Sequence, residues 1–540
     1  MKNATISAPQ PEAVEAGAAV LQRGGNAMDA ALACAFVQGV VDPQMSGIGG
    51  FGSLHVYMPQ KGVHEVLEFY ARAPLSATPG MWSDKVLGES RDGFGYILEN
   101  NISDIGYQSI CTPGSLKGYE TALRDYGTFD WADLIAPAIQ YAREGFMVRD
   151  HMHWYWAKDQ SNDGFANTLD KLRYSATGRR VYFHDDGRLR DVGDILRNPD
   201  MGNTLERIAR SGGSDIFYHG ELAEEIADDF AANGGLIGRE DLAQYELSRA
   251  KPLWGEYRGH KIASSPAPGS GFSLIGLLQM LEHFDLGKMD HSSTDHVRLL
   301  FEAMKRMTID KDSNMGDPQY VEVPVDHLVS KEHATEHATS IRAGERADVK
   351  RFDVSQRDTT HISVVDSMGN AVAMTHTLGS PSGAITDGLG FMYNGTMSRF
   401  NPFPGHPGSI APGKRRPSSA APTIVFKGDK PVIVIGAPGG SYIAPAVAQG
   451  IMNMIDFEMP VLEAVAAPRI VGVSNKIDIC NRIRRSVEAE LKEEGYGVVR
   501  TPQTFAFAAL HAISIDASGV SRGAADPGRD GLSLSVKVAN

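Results

Sequence analysis

A threonine hydroxyl is a useful nucleophile only when a base accepts its proton, and one available base is the residue's own α-amine. That amine titrates near pH 7.7–8.0 and is substantially neutral under cellular conditions, but it exists only if the threonine is N-terminal. Thr359 is placed for this chemistry. It follows the polar stretch that ends Arg357-Asp358 and opens, with Thr360, onto an apolar strand pattern. Loose chain before the Asp358–Thr359 bond and a rigid strand after it could strain that peptide, letting the Thr359 hydroxyl attack the Asp358 carbonyl and leave an ester for water. Thr-Thr before a strand is also ordinary β-propensity, so position alone does not decide.

Other candidates are weaker. Pro438-Gly439-Gly440-Ser441 follows a strand pattern and reads as a strand-to-helix turn or a phosphate loop, without nucleotide-fingerprint spacing or a Walker lysine. Gly47–Gly52 lies between a helix and a strand, the wrong order for a phosphate cradle, and reads as a packed turn. His361 reads as a structural strand histidine, because an α-amine already fills the role of base. Cys34, Cys111 and Cys480 are scattered, with neither disulfide nor metal-type spacing, and read as small buried hydrophobes.

The elements that must position Thr359 are legible in outline. Two helices, 13–21 and 27–41, are separated by Gly24-Gly25-Asn26. Alternating strands at 53–57 and 63–70 flank a Pro-Gln-Lys-Gly turn. The middle is mostly helical, with apolar residues at three- and four-residue spacing over 115–126, 131–144, 220–233 and 294–311. Residues 345–358 are polar and read as exposed and pliable. Strands then follow at 361–365, 371–378, 423–426 and 432–435. Strand hairpins beside a helical middle predict sheets covered by helices.

Composition sets the outer limits. The 540 residues are 42% apolar and 22% charged, as in an ordinary globular protein, so no staples are needed. A formal charge of -14 argues against nucleic-acid or anionic-membrane partners, and Lys414-Arg415-Arg416 is too short a basic run to alter that. No stretch reaches the roughly 18 apolar residues of a membrane span. The first residues lack a signal-peptide apolar core, so cytoplasmic residence is expected, or periplasmic or secreted residence if a leader was trimmed.

Asp358-Thr359-Thr360-His361-Ile362-Ser363-Val364-Val365-Asp366, followed by Gly369-Asn370-Ala371, resembles the start of the small subunit in the γ-glutamyltransferase (glutathione hydrolase) family. Seven further blocks match in order, among them Gly24-Gly25-Asn26-Ala27-Met28-Asp29, Pro43–Gly50, Pro417-Ser418-Ser419, Pro438–Ser441 and Gly523–Pro527. The resemblance implies an α+β N-terminal-nucleophile hydrolase fold, a four-layer αββα sandwich. It implies self-cleavage into a large fragment, 1–358, and a small one, 359–540, which stay associated as one structural unit. A dimer of such pairs is compatible with it. No metal or organic cofactor is implied, and the partner is a small-molecule amide or peptide. Carried over by residue, Thr359 is the nucleophile and Thr377 orients its hydroxyl. Gly439 and Gly440 supply an oxyanion hole, each donor contributing roughly 3–4 kcal/mol. Ser418 and Ser419 contact a substrate carboxylate, and Asn394 stands in the substrate-binding block.

The sequence departs from the family where it grips the γ-glutamyl amine and carboxylate. Tyr70 occupies the usual arginine position in Phe69-Tyr70-Ala71-Arg72-Ala73-Pro74, with Arg72 two residues on as a substitute. In Asn394-Gly395-Thr396-Met397-Ser398-Arg399, Arg399 replaces the carboxylate that holds the substrate ammonium, and Gly379 replaces an asparagine. An arginine repels an ammonium. The implied activity is amide hydrolysis or acyl transfer on a γ-glutamyl or γ-glutamyl-like amide. An Arg72/Arg399 pair would favour an amide with a carboxylate but no α-amine, such as an oxamate-like or glutaryl compound. An unprocessed binding relative is the non-enzyme alternative. The Pro/Gly-rich 400–414 stretch is short for a lid, which implies an open site.

Overall fold

Two strand hairpins read from alternation lie at the centre of the fold. The computed structural model describes residues 3–89, 95–159, 164–350 and 359–537. In it, Thr360–Val365 pairs antiparallel with Ala371–Thr377, and every residue of both strands is buried. A strand buried on both faces must lie between two layers. Its two-residue period sorts the side chains. Ile362, Val364, Val372 and Met374 join a core with Leu32, Phe36 and Val40 of a covering helix. Val365, Ala371 and Ala373 point the other way, into a thin apolar seam with Ile424, Phe426, Val434 and Ile513 of a second sheet.

The first sheet has seven antiparallel strands, in the order Leu532–Lys537, Asn3–Ala8, Thr360–Val365, Ala371–Thr377, Phe51–Met58, Val63–Phe69 and Ser248–Ala250. The second has six, in the order Ser521–Ala525, His511–Ile515, Lys430–Gly436, Thr423–Lys427, His260–Ser264 and Leu253–Tyr257. Helices Pro11–Gln22 and Ala27–Val41 cover the outer face of the first sheet. Gly271–Glu282, Thr294–Asn314 and Ile443–Ile455 cover the second. The result is the four-layer αββα sandwich. Strands from both sides of position 358 share each sheet and interleave in the first, so the two segments fold around the same sheets.

Local rules explain the elements nearest the centre. Ala27–Val41 starts at Asn26, whose side chain accepts from the Met28 and Asp29 amides while Asp29 accepts from the Asn26 amide, a reciprocal capping box. All fifteen of its residues are buried, as its unbroken small and apolar composition demands. Ser115–Tyr126 and Trp131–Glu144 form as read, while the expected 220–233 and 294–311 helices are Glu221–Ala232 and Thr294–Asn314. The Pro59–Gly62 turn forms with Gly62 at φ 65°, a conformation that favours glycine.

Two findings differ from the sequence reading. Asn3–Ala8 is an interior strand of the first sheet. Residues 345–350 are pinned, not pliable: Arg306 donates to the Glu345 carbonyl, Lys305 to the Ala347 carbonyl, and the Val349 amide to Asn475 Oδ1. Asp358 and the rest of 351–358, including the expected cleavage position, lie outside the described residues. No helix among the described residues is long and apolar enough to cross a membrane.

Candidate active site

Register brings the two threonines together. Thr360 pairs with His376, so the next position back sets Thr359 opposite Thr377 on the face that looks toward the second sheet. The Thr359 hydroxyl donates to Thr377 Oγ1 at 3.2 Å, with both residues buried. Thr377 Oγ1 also accepts from the Gly379 amide at 2.6 Å, which fixes its lone pairs. Below it the Gly47–Gly52 segment packs as a turn: a Cβ on Gly50 would stand 2.4 Å from the Thr377 carbonyl oxygen. Gly379 has φ 70°, and a Cβ there would meet Thr396 Cγ2 at 2.5 Å and the Phe51 ring at 3.0 Å. No asparagine fits that position without rearrangement.

Neutral polar groups support this pair from both faces. On the helix side, His376 joins Tyr119 Oη and Gln38 Oε1, each at 2.7 Å, and Gln38 donates to Thr360 Oγ1 at 3.0 Å. On the inter-sheet side, His361 joins Thr375 Oγ1 at 2.8 Å and Ser363 Oγ at 3.1 Å. Burial pushes both imidazoles down to about 3, so both stay neutral at physiological pH. His361 thus acts structurally: it lies under Gly436, where a Cβ would meet its ring at 2.1 Å. From Gly436 the chain continues to Gly439 and Gly440, with φ 133° and 57°. Among the described residues neither of their N–H groups donates a hydrogen bond, so both are available to an oxyanion.

Arg529 was not anticipated. It is 1% exposed and donates to the Thr359 carbonyl at 3.3 Å and to Tyr155 Oη at 2.6 Å, and no carboxylate pairs with it among the described residues. A guanidinium so placed disfavours a second positive charge at Thr359. The sequence held one hint, its position two residues past the Gly523–Pro527 block.

The expected substrate contacts separate into groups. Tyr70 is buried, and its hydroxyl faces Ser53 and Ser418 without a hydrogen bond of good geometry; burial pushes its pKa up. Ser418 is buried and accepts from the Ala420 amide at 3.2 Å, while Ser419 is half-buried. Arg399 lies over the Phe165 ring and lines a cavity of about 460 Å³ with Tyr96, Asp312, Asp348, Asn401 and Pro417. Arg72 does not line it. Its guanidinium donates to the carbonyls of Glu246 and Gly413, so the two arginines expected as a pair do not face one cavity.

Asn394 is also corrected. Its amide gives both donors to the Gly49 and Cys111 carbonyls and accepts from the Cys111 amide and Thr396, which fills its capacity and makes it a structural strut.

The short basic run holds three distinct roles. Lys414 captures the carbonyls of Pro407 and Ser409, and Arg415 forms a buried cluster with Glu68 and Asp317. Arg416 lies over Phe51, the strand partner of Thr377. Its place next to Pro417-Ser418-Ser419 was the available signal.

Among the described residues, two groups of side chains could hold a metal ion, Asp310/His333/His337 and His184/Asp191/Asp194, and neither includes a residue of the threonine pair. The three cysteines are buried, and burial raises the thiols of Cys34 and Cys111, the latter to about 12.

The chain matches the family model described as Gamma-glutamyltranspeptidase over residues 13–536. It is 36% identical over 535 residues to the Acylase ACY 1 proenzyme of Pseudomonas sp. (strain V22), covering 97% of this chain and 92% of that protein. It is 32% identical over 562 residues to the Glutathione hydrolase proenzyme of Bacillus subtilis (strain 168), covering 99% and 92%. Among solved structures, the cephalosporin acylase from Bacillus halodurans superposes with a TM-score of 0.86 at 28% identity, over 99% of this chain and 96% of that one.

Proposed function

The chain belongs to the gamma-glutamyltranspeptidase family of N-terminal-nucleophile hydrolases, and from that premise we propose that it cleaves its own Asp358–Thr359 bond and uses Thr359 to hydrolyse or transfer the acyl group of an amide. The observation that carries this reading is the 3.2 Å contact between the Thr359 and Thr377 hydroxyls at the start of a doubly buried strand.

In processing, Thr359 Oγ adds to the Asp358 carbonyl carbon, and the peptide nitrogen, taking up the hydroxyl's proton, leaves as the new α-amine. Water then splits the ester into the 1–358 carboxylate and the free Thr359 hydroxyl. In turnover, the α-amine takes the hydroxyl proton as Oγ attacks the substrate carbonyl. The N–H groups of Gly439 and Gly440 hold the oxyanion, and the α-ammonium returns the proton to the departing amine. Water or an acceptor amine attacks the acyl-Thr359 ester, its proton passing to the α-amine. Thr377 orients Oγ throughout. Arg529 keeps the α-amine neutral because a second cation beside it is disfavoured.

A narrower reading concerns the acyl group. Arg399 in the cavity, Arg416 beside Phe51, and Ser418 and Ser419 all suit a carboxylate, whereas the family's ammonium-binding carboxylate is replaced. The likeness to an acylase proenzyme and to a cephalosporin acylase supports the same direction. We therefore propose a carboxylate-bearing acyl donor without an α-amine, of the glutaryl or oxamate type. The test compares glutaryl-anilide with γ-glutamyl-anilide on the cleaved protein. The expected result is a kcat/KM at least about tenfold higher for the deaminated compound, corresponding to about 1.4 kcal/mol; a preference of that size for γ-glutamyl-anilide would overturn this narrower reading while leaving the nucleophile intact.

A further inference from the structure

A histidine pair lies away from the threonine site. His333 and His337 are four residues apart on the helix Lys331–Arg342, so they share a face. That face packs on Thr294–Asn314, which supplies Asp310. The Nε2 atoms of His333 and His337 lie 2.9 and 3.2 Å from Asp310 Oδ2 and 3.1 Å from each other. Three donor atoms thus form a nearly equilateral triangle. A dication bound at about 2.0–2.1 Å to each would stand about 1 Å out of that plane, with its remaining position open to water.

The chemistry of the donors fits the geometry. Two neutral imidazoles and one carboxylate are a borderline set that suits zinc-like transition metals better than calcium or magnesium, which prefer oxygen. The Nδ1 of His333 is buried without a partner, so no second hydrogen bond fixes that ring's tautomer. The three side chains are 13–21% exposed, enough for an ion to enter. A third imidazole, His327, lies with its ring centre 4.4 Å from that of His333.

The supporting helix has a reason to need a clip. Its fully buried residues are Ala334 and Ala338, which bury little apolar surface. Its ends are held by polar contacts, Lys331 to Glu282 and Arg342 to the His283 carbonyl.

We propose that Asp310, His333 and His337 bind one transition-metal dication, zinc in the first instance, which staples Lys331–Arg342 to Thr294–Asn314. The test treats the full chain with a chelator, adds Zn²⁺, removes excess by gel filtration and counts metal by mass spectrometry. One zinc per chain is expected, with a Tm raised by zinc. His337→Ala, and separately the gentler Asp310→Asn, should lose at least tenfold in zinc affinity and lose the zinc-dependent rise in Tm. Both variants are checked by circular dichroism without metal, and Co²⁺ loaded in place of zinc should give a visible spectrum of low coordination number in the parent alone. A parent chain that retains no stoichiometric zinc, or folded variants that bind it as well as the parent, overturns the site.

Discussion

At the scale of single residues, the proposed cleavage sets Thr359 chemically apart from the threonines around it. Thr359→Ala removes the attacking oxygen, and loss of a nucleophile that works with its base as one unit typically costs at least about a thousandfold. We expect no processing and no turnover, read as one uncut chain on a denaturing gel. Arg529 gives a sharper test because it bears on the amine. With the guanidinium gone, the α-amine gains basicity, so the acid limb of kcat/KM for Arg529→Met should move up by about one pH unit. Arg529→Lys should restore most of that shift. A limb that stays in place in soluble, processed Arg529→Met would confine Arg529 to a structural role. Thr359 was singled out in the sequence because a motif carried it. Arg529 was not, since its contacts with Thr359 and Tyr155 cross 170 and 374 positions. Arg72 and Asn394 mark the opposite error: their types suited substrate, but main-chain carbonyls and amides claim them.

At the scale of elements, the active strand is sandwiched, and Gly436 of the second sheet is a place where the two sheets touch. Gly436→Ala would drive a methyl into the His361 ring, and overpacking of this kind costs about 1–3 kcal/mol. A drop of that size in unfolding free energy by denaturant titration is expected, with Gly428→Ala no guide because Gly428 requires φ 62°. Strand and helix existence followed from local pattern: Ser115–Tyr126 and Trp131–Glu144 stand where three- and four-residue spacing put them. Asn3–Ala8 escaped because what makes it a strand is remote. Thr5 pairs with Val365 on one side and Ser535 on the other, partners that no window around residue 5 contains. The pinned 345–350 segment escaped for the same reason, its anchors being Glu302, Lys305, Arg306 and Asn475.

At the scale of the whole molecule, buried neutral imidazoles set a dependence on acid. His55, His296, His361 and His376 are each pushed down to about 3, first by burial. In the unfolded chain they titrate near 6.5, so between about pH 6.5 and 3 the unfolded state binds protons that the folded state refuses. Stability is therefore full above pH 6.5 and falls as pH drops, by up to about 1.4 kcal/mol per pH unit for each group. Glu68, raised to about 7 by burial, acts in the opposite sense, while His64, pushed down to about 4, and His511 act with the four. We expect Tm to fall steadily from pH 7 to pH 5, and His376→Gln, which keeps hydrogen-bonding capacity toward Tyr119 and Gln38, to flatten that fall. An unchanged slope would show that His376 does not contribute.

The central claim is that Thr359 is an N-terminal nucleophile made by cleavage after Asp358. The most direct measurement is peptide mass spectrometry of the active protein, acid-quenched during turnover of an amide substrate. The account predicts a peptide that begins at Thr359 and carries the substrate's acyl mass on that residue. A fully active protein whose Asp358–Thr359 bond is intact, or an acyl group found on another residue, would contradict it.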